Sequence, residues 1–307
     1  MARTLPRVMS PSLVLFLALV GISFAGPLVR LSHAHPLAIA IWRLGFALVV
    51  IAIALVVTGS WRQWRRLDRP SMIVAIGAGA MLALHFWTWN SSIGFTTVAA
   101  SVVLVNMQPA LVALLSGAWL REPPNGRQWG GIAVAMIGAL VVALPDLAAH
   151  SAATSARALF GDTLALAGAA TAACYVVAGR RLRSTLDLWP YVGIVYGTCF
   201  VVLIALAASV HAHVLGQSPR ELEIFAALAV GPMLFGHTGL NWALKYLPAY
   251  VVNLTLLGEP VGATVLAATL PGIRELPSLA TLLGGGLILA GIYVAARAQK
   301  KTTLASA

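Results

Sequence analysis

One acidic residue, Glu259, lies inside an apolar run of the sequence, where a carboxyl group is unusual enough to indicate chemistry. The run begins near Tyr250, and a rise of about 1.5 Å per residue places Glu259 roughly 14 Å along a helix. A bare carboxylate near the middle of a bilayer costs about 2.5 to 3.5 kcal/mol, so it must be paired, hydrogen-bonded, close to water or protonated. Glu259 is therefore a candidate for proton coupling. The alternative is a structural role, in which it bonds to backbone that Pro260 leaves unpaired.

Two histidines occur in rows of residues spaced four apart, and each such row forms one face of a helix. The rows are Met81, His85, Trp89 and Met233, His237, Asn241. Imidazole, thioether and indole groups on facing helices would line a cavity suited to moderately apolar, zwitterionic or aromatic solutes. The alternative is a set of hydrogen bonds between helices. A metal site is not predicted, because no HExxH-like spacing occurs in the sequence.

Other polar and aromatic residues within apolar runs are weaker candidates, since such residues also join membrane helices to one another. They are Asn106, Gln108, Tyr175, Tyr196 and Trp242. Arg43 lies about 10 Å along its run, which begins at Pro36. From there its side chain could clamp a substrate carboxylate, but the sequence favours snorkelling to the membrane interface.

Two prolines, Pro109 and Pro260, lie in the middle of apolar runs. Proline removes a backbone hydrogen bond and can kink a helix, which would open space at a site. The alternative is the simple tolerance of proline that membrane helices show. We predict a gating role for both.

The sequence does not suggest an enzyme. No Ser/His/Asp set, cysteine nucleophile, phosphate-binding glycine loop or metal cluster occurs in its loops, and no cofactor is predicted.

The candidate residues lie in ten apolar runs, most of them about 17 to 24 residues long, as a helix needs to cross a bilayer. The runs begin near Ser12, Pro36, Ser71, Gly94, Trp129, Leu159, Leu188, Ile224, Tyr250 and Leu279. Hydrophobic residues make up 60% of the 307 residues and charged residues only 9%, against about 25% charged in soluble domains. We predict an all-α polytopic membrane protein with ten transmembrane helices, forming a single membrane domain over residues 1–307.

The net charge of +11 would suggest a nucleic-acid partner in a soluble protein, but the basic residues mark one side of a membrane instead. If the N-terminus is cytoplasmic, fifteen of the twenty lie on that side: Arg3, Arg7, Arg62, Arg65, Arg66, Arg69, Arg121, Arg127, Arg180, Arg181, Arg183, Lys245, Arg297, Lys300 and Lys301. The positive-inside rule then predicts an inner-membrane protein with both termini in the cytoplasm. The expected partners are membrane lipid and a small-molecule substrate, with no nucleic acid and no obligate protein partner.

The two halves of the sequence partly repeat each other. Pro109 follows Asn90, and Pro260 follows Asn241, at the same separation of 19 residues (109 − 90 and 260 − 241). Similar offsets relate His85 to His237, Gly131 to Gly284 and Gly138 to Gly291. We predict a duplication, with repeat one at residues 11–145 and repeat two at 159–296. Because each repeat holds five spans, an odd number, the second repeat must be inverted. Inverted repeats are typical of carriers with a substrate site near the bilayer midplane.

The second half also shows a family pattern. Its residues, in order, are Ala243, Leu244, Lys245, Tyr246, then Leu257, Gly258, Glu259, Pro260, then Glu275, Gly284 and Gly291. In this order the chain resembles the ten-helix EamA-type carriers of the drug/metabolite transporter superfamily, over nearly its whole length. The first half departs from the family pattern, since Gln108 precedes Pro109 where an acidic residue is frequent and Gly94 replaces the usual lysine. The aromatic-rich third span is similar to that of YddG-type amino-acid exporters.

The resemblance implies a membrane carrier that exports small metabolites, most of all amino acids, by alternating access of a central cavity between the halves. A proton-coupled drug or cation efflux carrier is the main alternative, and a lipid-handling membrane enzyme is a third reading. The predicted substrate contacts are Met81, His85, Trp89, Asn106, Tyr175, His237, Asn241 and Trp242. The predicted coupling or gating residues are Glu259, Pro109, Pro260 and Arg43.

Overall fold

The regular elements of the chain are helices throughout the part that the structure describes. This computed structural model describes residues 10–92, 95–96, 101, 104–149, 156–259, 261–262, 265–266 and 278–305. Pro260 lies outside these ranges. So do Gly94 and Glu275, which belong to the family pattern described above.

The described residues form twelve α-helices, numbered in chain order. The first half contains α1 (Pro11–Ser23), α2 (Ala25–Leu31), α3 (Pro36–Thr58), α4 (Arg69–Ser92), α5 (Gln108–Leu115) and α6 (Gly126–Ala149). The second half contains α7 (Ala156–Leu182), α8 (Leu188–Ser209), α9 (Pro219–Leu228), α10 (Thr238–Ala243), α11 (Ala249–Leu254) and α12 (Leu279–Ala305). Two π-helical segments, Ser116–Leu120 and Ala229–His237, extend α5 and join α9 to α10, and two 3-10 segments, Ser60–Arg66 and Thr255–Gly258, follow α3 and α11.

Seven helical segments of the described chain are long and apolar enough to cross a membrane. Two shorter apolar helices, Gln108–Leu120 and Ala249–Gly258, occupy the fourth and ninth predicted spans. The fifth predicted span lies in α6. The prediction of an all-α polytopic membrane fold is confirmed.

Local sequence signals set the helix ends. Pro36 occupies the first turn of α3, where its missing N–H is not needed, and the His35 side chain accepts a hydrogen bond from the Leu37 N–H. The helix stops at Gly59, whose φ of 64° favours glycine. Ser218 caps α9 by accepting the Glu221 N–H, and Pro219 begins that helix.

The surface of the helix bundle is apolar and part of its interior is polar, which suits a lipid environment. Val56 and Val57 are 72% and 80% exposed, whereas Arg43 is only 5% exposed. The exposed valines are stable in contact with lipid. An arginine inside a membrane protein is costly, which makes the buried Arg43 a candidate functional residue.

Helices of the first half pair with helices of the second half in a symmetric pattern. If the two halves changed places, the same set of pairings would result. The first span (α1) packs on the eighth (the π-segment Ala229–His237 and α10), and the third span (α4) packs on the sixth (α7). Swapping the halves turns the first of these pairings into the second. The second and seventh spans (α3, α8), the fourth and ninth (α5, α11) and the fifth and tenth (α6, α12) also pair.

Glycines permit the closest of these contacts, between α6 and α12. Gly131 faces the backbone of Gly291, and Gly138 faces the backbone of Gly284, so the two helices run antiparallel. A Cβ atom at Gly131, Gly138 or Gly291 would overlap the backbone of the opposite helix. We call these four residues the glycine seam.

Candidate functional site

A cavity of about 100 Å³ lies at the centre of the bundle, between the two halves. Side chains from α3, α4 and α7 form part of its wall, and α1, α2, α5, the Ala229–His237 segment, α10, α11 and the Thr255–Gly258 segment also contribute. Nine residues singled out in the sequence line this cavity: Arg43, His85, Trp89, Asn106, Gln108, Tyr175, His237, Asn241 and Glu259. The fold therefore brings together residues from distant parts of the chain.

Three of the predicted site residues are placed differently, and a fourth is not described. Met81 and Trp242 pack against the apolar core, and the Trp242 ring centroid lies 4.4 Å from that of Tyr246. Pro109 is buried in the first turn of α5 and does not line the cavity, although its neighbour Gln108 does. The fourth, Pro260, lies outside the described residues.

Arg43 does not snorkel to the membrane interface, which corrects the interpretation that the sequence favours. Its side chain is buried in the cavity wall, with Cζ 3.8 Å from the centroid of the Phe86 ring. Its Nε and Nη2 atoms are buried and find no acceptor within the described part of the chain. An aromatic face stabilises the cation in part, but the N–H donors remain free to bind a ligand.

The two histidines occupy the same cavity in different settings. The Nδ1 atom of His85 lies 3.0 Å from the carbonyl oxygen of Gly168, and because a carbonyl only accepts, Nδ1 carries the proton of this bond. The His85 ring also stacks on Trp89, with an interplanar angle of 4°. His237 instead meets the Phe86 ring edge-on at 5.7 Å. Within the described ranges, His, Cys, Asp and Glu side chains form no cluster suited to a metal ion.

A hydrogen-bonded network fixes the α10 side of the cavity. The Asn241 side-chain amide donates to the hydroxyl oxygens of Tyr175, at 2.6 Å, and Tyr196, at 3.2 Å. Thr238 lies within hydrogen-bonding distance of the Tyr196 hydroxyl. The Arg183 Nε donates to the Asn241 carbonyl oxygen at 3.0 Å. This wall is satisfied internally and is therefore rigid.

Other polar groups of the cavity wall lack partners. Both amide atoms of Asn253 and the Nε1 atom of Trp89 are buried without a hydrogen-bond partner among the described residues. Glu259 also lines the cavity. Asn253 could have been selected from the sequence, since it is an amide inside the apolar run that begins near Tyr250. Phe86 carries no such signal, because a phenylalanine in an apolar helix is ordinary.

Polar contacts join the two halves on the basic face. The Arg180 guanidinium, at the end of α7, contacts Glu122 at 2.7 Å and donates to the Leu244 carbonyl oxygen at 2.8 Å. Asp187 accepts a hydrogen bond from the Gln63 side chain at 2.6 Å, and this bond, aided by Lys245, lowers the pKa of the Asp187 carboxyl. We call the contact between Arg180 and Glu122 the basic-face latch.

The opposite face has its own contacts between the halves. Glu221, at the start of α9, accepts hydrogen bonds from the Ser32 hydroxyl and the His33 N–H. The indole N–H of Trp42 donates to the Val214 carbonyl oxygen at 2.9 Å. The cavity is thus bounded by polar contacts toward both membrane faces.

The chain is similar to transporters over most of its length. The model of the EamA-like transporter family matches it twice, over residues 9–144 and 159–297. An uncharacterized transporter of Archaeoglobus fulgidus is 25% identical over 292 residues, which cover 90% of this chain and 94% of the relative. The uncharacterized transporter YdfC of Bacillus subtilis is 25% identical over 255 residues, covering 80% and 78%.

The fold also has a counterpart among solved structures. One crystal structure superposes with a TM-score of 0.77 and covers 95% of this chain and 98% of the other. The two sequences are 19% identical, so the likeness concerns the fold alone.

Proposed function

The chain belongs to the EamA-like transporter family, and from this premise we propose that it exports small metabolites, with amino acids as the leading substrate class. A member of this family is a multi-pass membrane transporter, in keeping with the apolar helices. We propose that its halves, at residues 11–145 and 159–296, rock against each other. The central cavity then opens alternately to each side of the inner membrane, with both termini in the cytoplasm.

The observation that carries the proposal is the cavity between the halves. His85 and His237, which hold matching positions in the two predicted repeats, both contribute to its wall, as do Arg43 and Glu259. Carriers built from inverted repeats bind their substrates at this junction. The cavity volume is below the 300 to 1,000 Å³ that is usual for ligand pockets. We infer that substrate enters a wider conformation.

Counterflow in proteoliposomes tests this function. Vesicles loaded with unlabelled amino acid should accumulate the labelled form transiently, and vesicles without protein should not. Absence of counterflow for every amino acid, amine and nucleoside tested would reject the carrier proposal.

Proton-coupled efflux of drugs or cations is a second candidate, favoured by the ionisable carboxyl of Glu259 on the cavity wall. If Glu259 carries the coupled proton, Glu259→Gln should abolish the response of transport to a pH gradient while exchange at equal pH continues. A gradient response equal to that of the wild type would remove the coupling role from Glu259.

The topology is tested separately by single cysteines in a background that lacks Cys174 and Cys199. Cysteines at Leu5 and Thr303 should react with an impermeant reagent from the cytoplasmic side only. Cysteines at Gly94 and Lys245 should react from opposite sides. Labelling of Leu5 and Thr303 from different sides would contradict the inverted arrangement.

A further inference from the structure

Among the described residues that line the central cavity, Arg43 supplies a fixed positive charge and Glu259 a carboxyl group. We propose that Arg43 binds the carboxylate of a zwitterionic substrate and that Glu259 binds its ammonium group. This inference rests on the proposed transport function and specifies which part of the substrate each half of the protein recognises. Arg43 belongs to the first half and Glu259 to the second.

The first argument is the state of the Arg43 guanidinium. It is a buried cation, 5% exposed, whose Nε and Nη2 donors meet no acceptor in the ranges that the structure describes. The Phe86 ring lies 3.8 Å from Cζ on one side and offsets only part of the loss of hydration. A carboxylate is the ligand that matches a guanidinium fork, because two parallel N–H donors meet two oxygens.

The second argument is that Glu259 does not neutralise Arg43. Both line the same cavity, yet among the described residues no carboxylate lies within 4.0 Å of the Arg43 nitrogens. An ammonium group placed at Glu259 and a carboxylate placed at Arg43 would balance both charges at once. A lone amine or a lone carboxylate would balance one and leave the other exposed to the apolar wall.

The lining of the cavity narrows the substrate class. Leu82, Phe86 and Leu256 line the same space and offer an apolar surface for the side chain of the substrate. An organic phosphate fits less well, since one cation would leave part of its charge unbalanced.

Competition in the counterflow assay tests the inference. Labelled L-phenylalanine is the first probe, with L-phenylalaninamide, which lacks the carboxylate, and N-acetyl-L-phenylalanine, which lacks the ammonium group, as unlabelled competitors. For any other amino acid that gives counterflow, its own amide and N-acetyl derivative are used. We expect each derivative to compete about 10- to 100-fold more weakly than the amino acid, as the loss of one charge-assisted hydrogen-bonded pair predicts.

Variants assign the two ends of the substrate. Arg43→Gln should raise the KM for the amino acid about 10- to 100-fold and remove the discrimination against the amide. Glu259→Gln should remove the discrimination against the N-acetyl derivative. Arg220→Gln is the matched control, because Arg220 is exposed and lies outside the cavity.

The outcomes separate this inference from the proposed function. Amino-acid counterflow that the amide inhibits as strongly as the amino acid would overturn the inference and leave the carrier function standing. An Arg43→Gln variant in which competition by the amide and competition by the N-acetyl derivative weaken equally would also overturn the inference and leave the carrier function standing. Because the competition test uses the wild-type protein, it decides the matter even if Arg43→Gln does not fold. Counterflow of no amino acid at all would reject the amino-acid function and this inference together.

Discussion

Two asparagines in the cavity wall show how residues of one type serve different purposes. Asn241 is held by the hydroxyl groups of Tyr175 and Tyr196, whereas Asn253 has no partner among the described residues. A satisfied amide contributes to stability, but an unsatisfied one reduces it unless a ligand binds there. The contrast suggests that Asn241 positions the wall and that Asn253 is available to substrate.

Leucine substitutions should separate these roles. Asn241→Leu should lower the free energy of unfolding by about 1 to 3 kcal/mol, because two buried tyrosine hydroxyls lose their donor. Asn253→Leu is the matched comparison and should leave stability unchanged or raise it, while reducing counterflow. Thermal denaturation in detergent measures the first effect. Equal destabilisation by the two substitutions would contradict this assignment.

The Asp187 carboxylate should contribute to stability in a pH-dependent way. Hydrogen bonding from Gln63 lowers its pKa from the ordinary value of 3.8, so the folded state favours the charged form. Its contribution is therefore complete above the unfolded pKa and is lost as the pH falls through the lowered folded value. Because the side chain is 59% exposed, the effect should be small, about 0.2 to 1 kcal/mol. The Tm difference between wild type and Asp187→Asn should be constant near neutral pH and vanish in acid.

Helix periodicity limits what the sequence predicts at the residue scale. His85, Tyr175 and Asn241, which the polar-residue criterion selects, line the cavity wall. Trp242 follows Asn241 directly and so points about 100° away around the helix, where it packs on Tyr246. For Arg43 the sequence favours a side chain that reaches water, but α3 turns this side chain toward Phe86 of α4. Only the packing of the two helices determines that direction.

At the scale of elements, the π-helical segment Ala229–His237 changes the residues that face the cavity. An α-helical row predicts Met233 and His237 on one face, but a π-helix closes its hydrogen bonds five residues apart, and its wider turn shifts side chains out of the α-helical row. Pro232, five positions before His237, lines the cavity instead, and Met233 is fully buried in the core. His237 and Asn241 of the predicted row therefore line the cavity and Met233 does not, since periodicity alone does not reveal a π-turn.

The glycine seam predicts sharply different effects for two neighbouring residues. A Cβ at Gly131 would overlap the backbone of Gly291 and Ala295, whereas one at Gly130 meets nothing within 4 Å. Gly131→Ala should destabilise the protein by about 1 to 3 kcal/mol through overpacking. Gly130→Ala should be neutral or stabilising by up to about 1 kcal/mol, because alanine favours helix. Thermal denaturation of the two variants side by side tests this, and equal Tm values would contradict the close approach of α6 and α12.

At the scale of the whole molecule, polar contacts join the halves near both membrane faces while the cavity lies between them. The basic-face latch connects Glu122 of the first half to Arg180 of the second. Glu221 binds Ser32 and His33 on the opposite face. Alternating access requires each set of contacts to break in turn, so each is a barrier that a mutation can lower.

Weakening the basic-face latch should open the cavity toward that face. In a background without Cys174 and Cys199, a cysteine at Asn106 reports access to the cavity wall. Glu122→Ala should speed its labelling from the basic face about two- to five-fold, as the loss of up to about 1 kcal/mol predicts. Lys245→Ala is the control, since its ion pair with Asp187 lies within the second half. An unchanged labelling rate in Glu122→Ala would show that the latch does not restrict access.

The glycine seam also has the geometry of a contact between identical partners. The offset of 153 relates Gly131 to Gly284 (284 − 131) and Gly138 to Gly291 (291 − 138), so the contact of Gly131 with Gly291 is the counterpart of the contact of Gly284 with Gly138. Such reciprocity defines an isologous interface, which ordinarily joins the subunits of a dyad-symmetric dimer. The two glycines of α6 meet the two glycines of α12 as those of two identical, oppositely oriented helices would. This single polypeptide thus holds its fifth and tenth spans together as a homodimer would.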